Sequence, residues 1–385
     1  MFPRLVNLSK TQSILLFGAR GTGKSTLLKT ELDSAKTLFL DLLSSKLEAD
    51  LRRNPDLLAE MVHALPESVD TVVVDEIQKI PKLLDVVHQL IEEKSKRFIL
   101  TGSSARKLKR GGANLLAGRA FVYHLYPLSV FELGTRFNLD EALQFGLLPK
   151  LFEFTSENDK TDFLMAYAHS YLKEEIFAEQ LVRLMDPFRR FLEVAAQANG
   201  KIINVAHIAR DVGVDDKTVR SYFSLLEDTL IGFMLEPYQH SFRKRLSQKP
   251  KFYFFDCGVS RALAYHLPAP LVARTSAYGA SFEHFIILEC IKLAAYKRLN
   301  FRFSYLRTKD DAEIDLLVER PGKKLLCIEI KSASSLDEIS LKTLAHLTKD
   351  LGDVDAVCFC NETHTRKINS LWVYPWQEGL KKFFS

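Results

Sequence analysis

Three groups of residues in this sequence have the types and spacing to do chemistry, and they lie in different parts of the chain. The first is Gly18-Ala19-Arg20-Gly21-Thr22-Gly23-Lys24-Ser25, a complete GxxxxGK[ST] pattern. Glycines at this spacing let backbone N–H groups curl around phosphate oxygens, and a helix opening directly afterwards adds the positive end of its dipole. Lys24 would neutralise a γ-phosphate and the Ser25 hydroxyl would coordinate Mg2+. Gly18, Gly21, Thr22, Gly23, Lys24, Ser25 and Thr26 are therefore the expected ATP-binding residues. The second group is Asp75-Glu76, which ends the run Thr71-Val72-Val73-Val74. Asp75 would hold the magnesium through water, and Glu76 would act as base on the attacking water. The third is Asp315, within Glu313-Ile314-Asp315-Leu316-Leu317, followed by Glu329-Ile330-Lys331. Side chains alternate along a strand, so Glu329 and Lys331 share a face. Asp315 and Glu329 could bind one divalent metal, while Lys331 holds the attacking water or steadies a developing phosphorane charge. Glu283, on a helix before these strands, could reach the same cluster.

The elements that must position these residues are legible as apolar runs. Ser13–Phe17 reads as a buried strand before the phosphate loop, Thr26–Thr30 as helix after it, and Thr37–Asp41 as a second strand. Arg97–Leu100 runs into Thr101-Gly102-Ser103-Ser104, where a polar side chain could reach a γ-phosphate and position water; Ser103 is the first choice and Thr101 the next. A strand over Ala120–Leu125 completes a nucleotide-binding domain over residues 1–135. Residues 136–186 read as helical, with apolar spacing in Phe163–Tyr167. Over 187–250, Phe188–Gln197 reads as a helix stopped at Asn199-Gly200. A helix from Asn204, a turn at Gly213 and a second helix from Asp215 then give a helix-turn-helix pattern, with small Ala209 and apolar Val219 where close packing needs them. The stretch from Leu235 to Lys251 would form a wing. Lys217, Thr218, Arg220, Arg243, Lys244 and Arg245 are the candidate DNA-facing residues, touching phosphate for the most part. Residues 251–385 read as a strand, a long apolar helix opening at Gly279-Ala280-Ser281-Phe282-Glu283, three strands, a helix at 336–349 and the strand Ala356–Cys360, an αβββαβ order.

Bulk properties narrow the class. A chain of 385 residues is long enough for two or three domains. No run of eighteen apolar residues occurs, and the N-terminus lacks a secretory pattern, which leads us to expect a cytoplasmic protein with no membrane partner. The five cysteines all fall in the last third and make no CxxC pair, a pattern of buried free thiols rather than a zinc site. The net charge of +5 permits nucleic-acid binding only through local concentration of basic residues.

Taken together, GARGTGKST, VVVDEIQKIP, ILTGSSARKL and LLAGRAFVYHLYPLSVFEL resemble prokaryotic AAA-like ATPases whose C-terminal half carries a winged helix-turn-helix and a restriction-endonuclease-like domain. The resemblance implies an α/β chain: a P-loop AAA-type three-layer domain, a helical lid and winged-helix middle, and an αβββαβ restriction-endonuclease-like C-terminal domain of PD-(D/E)xK type. Ile314 stands where the proline of that motif would be. It also implies a sensor-1 role for Ser103 and an arginine finger, acting on a neighbouring subunit, at Arg119 with Arg106 as substitute. ATP and Mg2+ would be the cofactors, with a second divalent metal in the C-terminal domain. A subunit that supplies a finger must assemble, so a homo-oligomer, for instance a hexameric ring, is expected. The leading expectation is an ATPase that remodels or translocates on DNA, branched DNA included. The alternatives are an ATP-regulated metal-dependent DNA nuclease and an ATP-controlled signalling or oligomerisation switch.

Overall fold

Five aliphatic runs build the first sheet: β1 (Ser13–Phe17), β2 (Thr37–Asp41), β3 (Thr71–Asp75), β4 (Arg97–Gly102) and β5 (Ala120–His124). They are parallel throughout, in the order β2-β3-β4-β1-β5. β1 and β3 are buried at every position, as strands covered on both faces must be. The connections are helical: α1 (Lys24–Glu31), α2 (Ser45–Arg53), α3 (Leu57–His63) and α4 (Leu83–Glu92). Leu83, Val87 and Leu90 of α4, with Leu58 and Val62 of α3, pack against Phe17, Val72, Val74 and Leu100. Each such side chain contributes about 1.5–3 kcal/mol when fully buried, so this core fixes where the strand ends fall. Because the sheet is parallel, the ends of β1, β3 and β4 emerge on one edge, where ligands bind in open α/β sheets.

The structure is a computed structural model that describes residues 2–94, 96–104, 116, 118–171, 185–238 and 249–384. The chain divides into two units, one of Met1–Leu128 with Leu148–Lys150 and Leu225–Ile231, the other of the remaining residues.

The second unit contains α5 (Val130–Leu133), α6 (Leu139–Phe145) and α7 (Glu157–Ala166), the last continuing as a π-helical turn over Tyr167–Tyr171. Next come α8 (Met185–Gln197), α9 (Val205–Val212) and α10 (Asp216–Asp228), whose final residues belong to the first unit. Asn204 caps α9 by accepting from His207 N–H, and Gly213 ends it at φ 78°, a left-handed conformation that favours glycine. Phe188 and Phe191 of α8 close on Tyr222 and Phe223 of α10, with ring centroids 4.9–5.1 Å apart across the helices.

An eight-stranded sheet follows from β6 (Gly232–Pro237), β7 (Lys251–Phe254), β8 (Arg302–Arg307), β9 (Glu313–Glu319), β10 (Leu325–Lys331), β11 (Val354–Cys360), β12 (Arg366–Ile368) and β13 (Leu371–Pro375). Its order is β12-β13-β11-β10-β9-β8-β6-β7. Its helices are α11 (Cys257–Leu263), α12 (Ser276–Tyr296), α13 (Lys342–Leu351) and α14 (Trp376–Phe384).

Three features differ from the sequence expectation. The long helix opens at Ser276, where Thr275 caps it, rather than at Gly279. The strand expected over Lys251–Asp256 ends at Phe254, because Asp256 turns to cap α11 by accepting from Val259 N–H. The hairpin β12–β13 and helix α14 were not anticipated. All five cysteines are buried and free, as expected. Among the described residues, no helix is long and apolar enough to cross a membrane.

Candidate functional site

The phosphate loop takes its shape from backbone packing. A Cβ at Gly18 would lie 2.3 Å from the Leu125 carbonyl oxygen, so only glycine lets the chain leave β1 there. Gly21 and Gly23 have φ of 80° and 92°. Thr22 Oγ1 donates to Ala19 O at 2.9 Å, closing the loop on itself. Lys24 is buried, and its ammonium donates to Gly18 O at 2.8 Å and Ala19 O at 3.4 Å, across the cradle. Thr26, the third residue of α1, lies exposed.

The end of β3 meets this loop. Ser25 Oγ donates to Asp75 Oδ2 at 2.5 Å, and the Thr101 hydroxyl donates to the other oxygen of the same carboxylate. Thr101 Oγ1 also accepts from Glu76 N–H at 3.1 Å. Glu76 has φ 63°, uncommon for a residue with a Cβ, and such strain clusters at sites where side-chain direction matters. Ser103 does not reach the pair directly: Gln78 Nε2 donates both to Ser103 Oγ at 3.0 Å and to the Glu76 carboxylate.

Sequence reasoning missed Gln78 and also Arg4, whose Nη1 donates to Thr22 O at 2.8 Å and Nη2 to Tyr126 O at 2.6 Å. Arg4 ties the loop to the chain after β5, a link that no motif signals. Gln78 could have been suspected from its place just behind Asp75-Glu76. These residues fit Mg2+ and ATP: a glycine cradle, a lysine whose partners among the described residues are loop carbonyls, and a hydroxyl already aligned with a carboxylate.

Arg119, just before β5, is exposed and paired with Glu92 on α4. Arg106 lies outside the described residues, as do Arg243, Lys244 and Arg245. Lys217 and Arg220 project exposed from α10. Thr218, half-buried, gives its backbone N–H to Asp215 Oδ1 at 2.7 Å, so Asp215 caps the start of the helix.

In the second unit, β9 and β10 are antiparallel with Ile328 opposite Leu316, and alternation puts Glu313, Asp315, Glu329 and Lys331 on one face. Lys331 pairs with Glu329 at 2.6 Å. Asp315 Oδ2 accepts from Ile330 N–H at 2.7 Å. Burial, then the charges of Glu283 and Glu329, push the Asp315 carboxyl well above the usual range. Glu329 is raised by burial, against the pull of Lys331, and its Oε2 has no partner among the described residues.

Two further residues, unforeseen from the motif, join this cluster. The Lys251 ammonium, 4% exposed, pairs with Glu313 and lies 3.4 Å from Glu283. Tyr253 OH donates to Glu283 at 2.6 Å. Glu283 is thus held by two β7 side chains, and among the described residues no three His, Cys, Asp or Glu side chains are grouped closely enough to hold a metal ion.

The parallel sheet and its phosphate loop define a P-loop nucleotide-binding domain. A family model described as an AAA domain matches residues 10–134, and proteins of that class use ATP and Mg2+ in general. Two models described as domains of unknown function, DUF8612 and DUF4143, match residues 136–269 and 278–378. The uncharacterized proteins Rv2008c of Mycobacterium tuberculosis and Mb2031c of Mycobacterium bovis are each 30% identical over 331 residues, covering 85% of this chain and 72% of the relative. The chain belongs to the family of these mycobacterial proteins. An uncharacterized protein of Haemophilus influenzae is 24% identical over 286 residues, covering 67% of this chain and 71% of its own. Among solved structures, the Aeropyrum pernix ORC1 protein in complex with DNA is similar at a TM-score of 0.27 and 15% identity, over 69% of this chain and 89% of that one. A likeness of that size carries no weight for the fold or for DNA.

Proposed function

We propose that this chain hydrolyses ATP and spends the energy on DNA, remodelling it or moving along it as a homo-oligomer, branched DNA being one substrate. The observation that carries the ATPase is the junction of Ser25, Asp75, Thr101 and Glu76. One carboxylate is aligned with the loop hydroxyl, and the next carboxylate is turned into a strained conformation beside it. In this reading the loop amides and Lys24 hold the phosphates, while Ser25 and Asp75 position Mg2+. Glu76 takes the proton of the attacking water, held in place by Gln78, with Ser103 behind it as sensor. Arg119 leaves its exposed pairing with Glu92 to enter the site of a neighbouring subunit. Such a surface ion pair is worth about 0–1 kcal/mol, so assembly can break it readily. DNA would meet Lys217 and Arg220 on α10, together with Arg243, Lys244 and Arg245 and the Thr218 end of the helix. The fold assignment that goes with this is a three-layer AAA domain over 1–135, a helical lid over 136–186, a winged helix over 187–250 and a restriction-endonuclease-like domain over 251–385.

The deciding experiment is ATP turnover with and without duplex, single-stranded and four-way DNA, on wild type and Glu76→Gln. The variant should bind ATP normally and turn it over about 10²–10⁴-fold more slowly, the usual worth of a positioned base. Unchanged turnover would remove Glu76 from the mechanism. Turnover indifferent to every DNA form would remove DNA as the substrate.

A second reading rests on the shared face of Asp315, Glu329 and Lys331 and on Glu329 Oε2, which has no partner among the described residues: a divalent metal held between Asp315 and Glu329 serving DNA cleavage, with Lys331 as the catalytic lysine and Glu283 joining only on leaving Lys251 and Tyr253. Asp315→Ala and Lys331→Ala should then abolish Mg2+- or Mn2+-dependent cutting and leave ATP turnover intact. Wild-type protein that cuts no DNA form with either metal would rule this out.

A further inference from the structure

We propose that the second unit carries a separate ligand site, a cavity between α8, α11 and α12 that takes a small organic anion bearing a carboxylate or phosphate group. The cavity measures about 330 Å3, near the lower end of the ~300–1,000 Å3 typical of small-molecule sites. Lys201, Arg261, His266, Ser276 and His284 are among its lining residues, and among the described residues no Asp or Glu is.

Three positive features border one space. Arg261 is 9% exposed, its Nη2 donating to the carbonyls of His266 and Ala269 at 2.6 Å each, while its Nε has no partner among the described residues. No carboxylate pairs with this guanidinium among the described residues, although buried cations are as a rule neutralised by one. Lys201 stands exposed in the wall. Ser276 and Ala277 bring the first turn of the 21-residue helix α12 to the same wall. The Thr275 hydroxyl takes only the N–H of Tyr278, and the leading N–H groups of a helix have no acceptor within it.

The floor is neutral. His284 Nε2–H donates to Phe254 O at 2.6 Å, which leaves Nδ1 as an acceptor for the Asn199 amide at 3.2 Å, with Cys257 Sγ beside it at 3.6 Å. Ala196, Ala264, Ala277 and Ala280 supply an apolar stretch of wall, and Gln197, Ser260 and Ser281 complete the lining. A bare inorganic ion would leave this apolar wall unfilled, so the ligand has an organic body as well as the anionic group that supplies the missing counter-charge.

The test is calorimetric titration of the full chain with citrate, AMP and inorganic phosphate, one probe for each source of the anionic group. It is run on wild type, Lys24→Ala, Lys201→Glu, Ser276→Asp and Arg261→Gln. Citrate or AMP should bind saturably, and the signal should persist in Lys24→Ala, which separates it from the phosphate loop. Affinity should fall by about tenfold or more in Ser276→Asp and in Lys201→Glu. Both positions are exposed, and an acidic residue in the first turn of a helix favours folding, so these variants stay informative if Arg261→Gln does not fold. Binding that vanishes in Lys24→Ala, or that ignores both Ser276→Asp and Lys201→Glu, overturns the proposal. So does the absence of saturable binding by all three probes at millimolar concentration.

Discussion

Replacing Thr101 by valine keeps the buried volume at the end of β4 and removes one hydroxyl. That hydroxyl donates to Asp75 and accepts from Glu76 N–H, and the residue is wholly buried. Losing a hydrogen bond to a charged group costs about 1.5–3 kcal/mol, and leaving the Glu76 amide unsatisfied costs about 1–3 kcal/mol. The two terms share one atom and do not simply add, so the expected loss is about 2–4 kcal/mol. Against a typical total of about 5–15 kcal/mol, this is large. Thr101→Ser is the control, since it keeps the hydroxyl and loses a methyl worth about 1 kcal/mol. Tryptophan fluorescence would miss the effect, because Trp372 and Trp376 both lie in the second unit. The assay is therefore hydrogen exchange of peptides spanning 71–76 and 97–104 in increasing urea, which reads local opening free energies. ATP turnover should fall alongside, since Glu76 loses the bond that fixes its backbone. If the serine variant is destabilised as much as the valine variant, the hydroxyl is not what holds Asp75 and Glu76, and the reasoning fails.

Other outcomes follow from single contacts. Arg4→Ala should raise the Kd for Mg2+-ATP by about tenfold while changing kcat little, because it frees the Thr22 and Tyr126 carbonyls without touching Asp75 or Glu76; nucleotide titration with steady-state kinetics checks this. Burial lowers the His284 pKa from 6.5 to about 4, so the unfolded chain binds a proton that the folded chain refuses between those values. Stability of the second unit should be complete above pH 6.5 and fall by about 3 kcal/mol as the pH drops toward 4, followed by tryptophan emission in urea. His284→Gln should flatten that slope. Lys251→Met leaves Glu283 with Tyr253 and Glu313 with Arg307 as remaining partners, and should cost the second unit about 2 kcal/mol, less than a fully buried pair would because both carboxylates are partly exposed; urea melts followed by the same emission report it.

Much of the first sheet was legible because its strands are apolar runs, closed at β1 by Gly18 and at β3 by Asp75-Glu76. β1, β2 and β3 match the strands read from the sequence, while β4 extends two residues further, to Gly102. Strands β8 to β11 were visible for the same reason. The hairpin β12–β13 was not, because Arg366–Ile368 is three residues long and too short to show alternation. The joining of β6 to β8, with Glu236 opposite Ser304, was equally hidden. Strand pairing across that distance leaves no local pattern.

What the sequence determined by itself is the phosphate loop, since its function resides in consecutive backbone amides and the two side chains that follow them. Glycine spacing therefore specifies it without help from the rest of the chain. The tertiary structure decided the company that the loop and the carboxylates keep. Ser25 and Asp75 are 50 residues apart, Gln78 and Ser103 are 25 apart, and Lys251 and Glu313 are 62 apart. Each pairing depends on which strands lie side by side and in what register, and that is settled by burial of the sheet faces, not by any residue near the site.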